Sequence, residues 1–357
     1  MRITGVTVRP WRLELKKPFV ISLGTIREAR NALVEVQVTT GEGRVVAGWG
    51  EAAPAGMITG ETIEGTIAFV GQMAPLLEGR DPADLEDIWR LMSGASTRHF
   101  SAKAALDIAL HDALGRALGV PVASLMGGAP RSFPTDITVG MAAPEEMARE
   151  AVEQVGAGFS MLKLKLGDDP HEDVRRVEAV RRAVGPDVIL RLDANQGWTP
   201  LEALRVVEKV APLDIQVVEQ PVPADDLKGM AEVARRSPVA IMADESLFSP
   251  RDALRLAEAR ACHVFNIKLM KCGGLYRARQ INAIAEAAFI RTFLGCMIES
   301  RVSISAACHF VAATSNVMGA DLDAHMYLTE DPVRGGPRVE SGTVVFPSGA
   351  GLGVEVD

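Results

Sequence analysis

Apolar and polar residues alternate over residues 3–15, the pattern of a strand with one buried face. Val34, Val36 and Val38 line one face of a second strand, with Leu33, Glu35 and Gln37 on the other. The stretch Thr39-Thr40-Gly41-Glu42-Gly43 predicts a turn, and residues 44–49 return as a third strand. Such a meander is antiparallel and can leave one face wet. The period then changes: residues 63–77, 84–92 and 102–118 read as helices, the last with Ser101 as N-cap and Gly119 as its stop.

From about Thr135 the rhythm changes again. Short β-branched runs at 136–139, 161–166, 188–192, 215–218, 239–242, 264–269 and 292–294 alternate with helical stretches rich in Ala, Glu and Arg. A weaker run lies at 320–323, and the period is about 25 residues. Strand–helix alternation builds βα units on a parallel sheet, and seven or eight of them close into a barrel. An open doubly wound sheet is the alternative, weakened because no glycine-rich phosphate loop follows any run. The tail from Asp331 returns to strand and turn and can fold back on the start of the chain. The expected organisation is α/β: a (β/α)7β TIM-like barrel over 131–330, with an α+β capping domain from 1–130 completed by 331–357.

Composition narrows the picture. The chain has 357 residues, 48% of them hydrophobic, enough for a large core. A net charge of −8 with no basic stripe argues against nucleic acid and anionic membrane surfaces. The alternating N-terminus does not read as a signal peptide, and no apolar run is long enough to span a membrane. Cys262, Cys272, Cys296 and Cys308 lack metal or redox spacing and read as reduced packing thiols, so a cytoplasmic location is expected. Assembly into a homo-oligomer is compatible with this pattern.

Candidate chemistry sits where such barrels carry their sites, at the C-terminal ends of the strands. Lys165, Asp193, Glu219, Asp244 and Lys268 recur there in steps of 28, 26, 25 and 24 residues. One such charge is readily a surface group; the whole cadence is not, because buried charges must be paired or metal-bound. Three converging carboxylates repel unless a cation lies between them, and an oxygen-only set favours Mg²⁺, with Mn²⁺ as substitute. Zinc is disfavoured, since no His or Cys has ligand spacing and His263 lies at the wrong end of its strand. The two lysines come from strands across the barrel. Neighbouring positive charge, which Lys163 can supply, and the metal would lower a lysine pKa toward roughly 7–8. Lys165 on one face and Lys268 on the other suit a 1,1-proton transfer beside a carboxylate, through an enediolate that the metal stabilises. Asn195, Glu245 and Asn266 are expected to orient these groups, and Glu299 to touch Lys268 or substrate.

The motifs that carry these residues have a family look. Lys163-Leu164-Lys165, LDANQGW (192–198), VEQPV (218–222), ADES (243–246) and NIKLMKCGG (266–274) resemble the muconate lactonizing subgroup of the enolase superfamily. GWGEA (48–52), ITGET (58–62), SAKAALDIALHDALG (101–115) and the closing GLGVEVD (351–357) fit the same resemblance. A lysine base with Mg²⁺ is that superfamily's pattern. Within the subgroup the chain is similar to dipeptide epimerases of the L-Ala-D/L-Glu type. This resemblance implies that Asp321 and Asp323 hold the α-ammonium of a dipeptide, and that Thr135, Lys163 and Ile298 also serve substrate.

One departure bears on specificity. The glutamate-specific members carry an arginine after the first strand, where this chain has Gly24 in FVISLGT, with Arg27 and Arg30 nearby but not in register. With Phe19, Ile21, Ile26, Met57, Ile58 and Ile298 available as a wall, the expected substrate is L-Ala-L-X with an uncharged or hydrophobic X. Other reactions on the same scaffold are N-acylamino acid racemisation, o-succinylbenzoate synthesis and muconate cycloisomerisation. The Asp321–Asp323 pair disfavours all three. A Schiff-base aldolase needs no carboxylate cluster, and a binding protein needs no opposed lysines.

Overall fold

The computed structural model describes residues 1–356; Asp357, the last residue of the closing motif, lies outside the described residues. Strands β1 (Arg2–Ile21), β2 (Gly24–Thr39) and β3 (Val45–Ala52) form the antiparallel meander. Its alternation is used on both faces. Ala32, Val34, Val36 and Val38 are buried against the helices Ile63–Leu77, Leu85–Ala95 and Phe100–Leu118. Leu13, Ala29 and Leu33 face the other way and join the barrel core. Gly48 and Gly50 allow the third helix to lie directly on β3. A Cβ at either would fall 2.2 Å from the Ala109 carbonyl oxygen or 1.9 Å from that of Ala105.

Two details differ from the sequence reading. The hairpin does not end near Leu15: pairing resumes after an irregularity between Glu14 and Phe19 and continues to Ile21 opposite Gly24. FVISLGT is therefore the tip of a hairpin, not a loop. The third helix begins at Phe100, after His99 in the left-handed region at φ 60°. Ser101 is no cap; its amide and hydroxyl both donate to Glu61. Gly119 does end the helix, at φ 71°.

After the two-residue strand β4 (Phe133–Pro134) comes the parallel sheet: β5 (Ile137–Val139), β6 (Met161–Lys165), β7 (Ile189–Asp193), β8 (Ile215–Glu219), β9 (Ala240–Ala243), β10 (Val264–Lys268), β11 (Arg291–Gly295) and β12 (Val317–Ala320). Neighbours follow chain order. The two ends are stitched by single bonds, Asp136 N to Ala320 O at 3.3 Å and Leu322 N to Thr135 Oγ at 3.0 Å. Arg191 fills the interior, paired with Asp136 at 2.6 Å and stacked 4.5 Å from the Phe293 ring centroid. The last strand ends at Ala320, so Asp321 and Asp323 follow it rather than lie within it, as the 320–323 run suggested.

The tail adds β13 (Val333–Gly335), β14 (Arg338–Glu340), β15 (Thr343–Val345) and β16 (Val354–Val356). β13 pairs with β16, while β15 pairs with β14 and β4. Asp112 ties this tail to the N-terminal elements: its carboxylate accepts from Trp49 N at 2.8 Å, Leu352 N at 2.7 Å and Arg116 Nε at 2.9 Å. The architecture is a TIM-like barrel with an α+β capping domain joined by the C-terminal tail. Among the described residues no helix is long and apolar enough to cross a membrane.

Candidate active site

Each barrel strand ends where its helix crosses back, so a polar residue at that point sits on a common rim. Lys165, Asp193, Glu219 and Lys268 are the last residues of β6, β7, β8 and β10, and Asp244 follows β9 directly. All five are buried. β6 and β10 stand four places apart in the eight-strand order, which places Lys165 and Lys268 on opposite sides. Both line a cavity of about 260 Å³ between the rim and the capping hairpin.

The ion pairs form one connected set. Lys165 Nζ donates to Asp193 Oδ2 at 2.7 Å and Asn195 Oδ1 at 3.1 Å. Lys163 Nζ lies 2.9 Å from Asp193 Oδ2, 2.8 Å from Glu219 Oε2 and 2.9 Å from Asp321 Oδ2. Lys268 Nζ lies 2.8 Å from Asp244 Oδ2. Asn195 donates to Glu245 Oε1 at 2.9 Å and Asn266 to Glu219 Oε1 at 2.7 Å, so both hold carboxylates in place. Glu299 accepts from the Met297 amide at 2.6 Å and makes no ion pair with Lys268 among the described residues.

Charge and burial compete here. Burial pushes Glu219 up to about 8 and Glu245 up to about 7, with the neighbouring carboxylates adding to both shifts. Burial also pushes Glu299 up to about 8. Asp244 goes the other way, because the ammonium groups of Lys268 and Lys271 outweigh its burial. Lys163 and Lys268 are held above the ordinary lysine range. The carboxylates that face them outweigh both burial and their mutual repulsion.

Asp193, Glu219 and Asp244 offer oxygen alone, the donor chemistry of a hard divalent ion. Asp193 Oδ2 and Glu219 Oε2 already meet at one cationic point, Lys163 Nζ. Asp244 Oδ2 is buried, with Lys268 Nζ 2.8 Å away. The donor chemistry therefore fits such an ion, while among the described residues no group of three or more His, Cys, Asp or Glu is spaced to hold one as it stands.

The cavity gathers most of the residues expected at it. Phe19, Ile21, Ile26, Met57, Ile58 and Ile298 are on its wall with Lys163, Asn195, Asp321 and Asp323. Thr135 is not: it lies ahead of β5, fully buried, its hydroxyl engaged by Leu322 N. Thr138, three residues on, reaches the cavity instead, and its amide donates to Asp323 Oδ2 at 2.7 Å. Gly24 stands behind Met57 rather than on the wall. A Cβ there would come 3.0 Å from Met57 Sδ, on a backbone at φ 146° that side chains rarely adopt.

Three residues were missed. Lys271, fully buried, donates to the Asp244 carboxylate and carbonyl. Its place in NIKLMKCGG, three residues after Lys268, was the available signal. Tyr327 bonds Asp323 Oδ2 at 2.6 Å, and Gln220 accepts from the Asp244 amide at 2.9 Å.

The family models match on both sides of this site. Residues 3–127 match the mandelate racemase/muconate lactonizing enzyme N-terminal domain, and 146–357 match the enolase C-terminal domain-like model. The chain belongs to the mandelate racemase/muconate lactonizing enzyme family of the enolase superfamily. Within this family it is 43% identical over 356 residues to a hydrophobic dipeptide epimerase of Enterococcus faecalis, covering 99% of each chain. It is 39% identical over 360 residues to an L-Ala-D/L-Glu epimerase of Clostridium acetobutylicum, again 99% of each. A crystal structure of the dipeptide epimerase from Enterococcus faecalis, complexed with Mg and L-Leu-L-Tyr, superposes with a TM-score of 0.95. That match has 43% identity and covers 99% of this chain and 100% of the other.

Proposed function

We propose that the protein is a Mg²⁺-dependent dipeptide epimerase that inverts the α-carbon of the C-terminal residue, with L-Ala-L-X and a hydrophobic X as substrate. The observation that carries this reading is the cavity itself: two lysines from opposite strands, two carboxylates beside them, and an apolar wall. Asp193, Glu219 and Asp244 would hold the ion, which supplies positive charge to the substrate carboxylate as electron density moves onto it. Lys165 takes the α-proton from one face and Lys268 returns a proton to the other. Asn195, Glu245, Asn266 and Lys271 keep the charged groups oriented. Asp321 and Asp323 receive the ammonium of the N-terminal residue, a cation that N-acyl amino acids lack. Thr138 and Tyr327 fix Asp323 for that task.

The wall argues for the side chain. A side chain at Gly24 would meet Met57 Sδ at 3.0 Å, and Phe19, Ile21, Ile26, Met57, Ile58 and Ile298 make that wall apolar; Arg30 also lines the cavity, but it is paired with Glu64 at 3.4 Å. L-Ala-L-Phe should exceed L-Ala-L-Glu in kcat/KM by about 100-fold, since burying a carboxylate unpaired is costly. A large preference for L-Ala-L-Glu in a kinetic comparison would sink the hydrophobic assignment.

Chelation is the second test. Incubation with EDTA should stop deuterium incorporation at the α-carbon, and excess Mg²⁺ should restore it. Undiminished exchange after complete chelation would remove the metal from the reaction.

A further inference from the structure

The segment that carries Ile298, between β11 and the helix Arg301–Ala313, is anchored by the capping sheet. Asn31 of β2 donates from Nδ2 to the Ile298 carbonyl at 2.9 Å and to Glu51 Oε1 at 2.7 Å. Glu51, near the end of β3, accepts the Ser300 amide on both oxygens at 3.0 Å and the Ser300 hydroxyl at 2.6 Å. Ser303 donates to the Glu51 carbonyl at 3.2 Å. Glu51 is fully buried, and burial raises its pKa although the Ser300 and Asn31 donors work in the other direction. Ser300 is also the N-cap of helix Arg301–Ala313, so Glu51 sits at that helix's positive end.

A buried acid is a costly way to join two packed surfaces, and apolar residues of the same shape often join them as well or better. What directed bonds add is geometry: they fix where the Ile298 backbone stands relative to the hairpin. That hairpin brings Phe19, Ile21 and Ile26 to the same cavity, and Asn31 itself is on the wall.

We propose that Asn31 and Glu51 are positioning residues for substrate selection, holding Ile298 at a fixed depth so that one sheet sets both the hairpin wall and the barrel wall around the side chain of X. This rests on the dipeptide reading above. Neither residue touches the reacting atoms; Glu51 acts only through Asn31 and the segment of Ile298 and Ser300, and Asn31, whose side chain also borders the cavity, holds the Ile298 carbonyl.

The test compares wild type, Asn31→Ala and Glu51→Gln on L-Ala-L-Phe and L-Ala-L-Ala. Amide hydrogen exchange over residues 297–301 is followed in parallel without substrate. Asn31→Ala should raise KM for L-Ala-L-Phe about 10-fold while that for L-Ala-L-Ala rises less than about 3-fold. Both variants should exchange the Ser300 amide faster, with the barrel strands still protected. Partial unfolding lowers turnover of both dipeptides alike, so it cannot produce the selectivity shift. Equal losses on the two dipeptides, or unchanged exchange at Ser300, would overturn the proposal. If wild type turns over neither dipeptide, the dipeptide reading fails by itself, and exchange at Ser300 alone decides whether the clamp exists. Should Glu51→Gln not fold, Asn31→Ala carries the comparison.

Discussion

Lys268→Ala should slow epimerisation of L-Ala-L-Phe by about 1000-fold or more, because a general acid–base group contributes on the order of 10²–10⁴ and no other group on that side replaces it. The fold should survive the change. Lys268 sits on Asp244 Oδ2, while Lys271 remains on the other carboxylate oxygen and the Asp244 carbonyl. Lys165→Arg tests the opposite face. It keeps a cation beside Asp193 but holds its proton too tightly to act as a base. Solvent deuterium should then enter only one of the two diastereomers, and we expect Lys165 to serve the L form. Mass spectrometry of the recovered dipeptides reads the result. Unimpaired exchange in both lysine variants would dismiss the two-lysine mechanism.

Asp321→Asn should lower kcat/KM for L-Ala-L-Phe by about 100-fold or more, since removing one partner of a buried charge pair costs roughly 2–5 kcal/mol. N-acetyl-L-Ala-L-Phe, which has no ammonium, should lose far less, so the ratio between the two substrates is the informative quantity. The variant keeps two of the three carboxylates on Lys163, those of Asp193 and Glu219, and this limits the structural damage. A proportional loss on both substrates would assign Asp321 to holding Lys163 instead of the dipeptide.

Much of the site was legible because it is periodic. Strand ends recur at near-constant spacing in a βα barrel, and a charge at each end is visible as a cadence along the chain. Lys271 broke that cadence, lying in the short helix Leu269–Cys272 after β10. Tyr327 had no local signal, and Glu51, though it lies in GWGEA, had none for its partner. Tyr327 meets Thr138, 189 residues away, and Glu51 meets Ser300, 249 residues away. Thr135 came with the resemblance and not from the strand pattern; it lies ahead of the three-residue strand β5, and Thr138 within that strand lines the cavity instead.

Sequence by itself determined the parallel barrel, the antiparallel meander, and the residues whose charges need one another. Those follow from local period and from the cost of burying charge, both of which a linear chain displays. Tertiary structure alone decided how the ends of the chain meet. It made FVISLGT a hairpin tip over the rim, set Asp321 and Asp323 beyond the last strand, and hung Ile298 from Asn31 and Glu51. These depend on register and on contacts between distant segments, which are fixed only when the sheet and the barrel pack together.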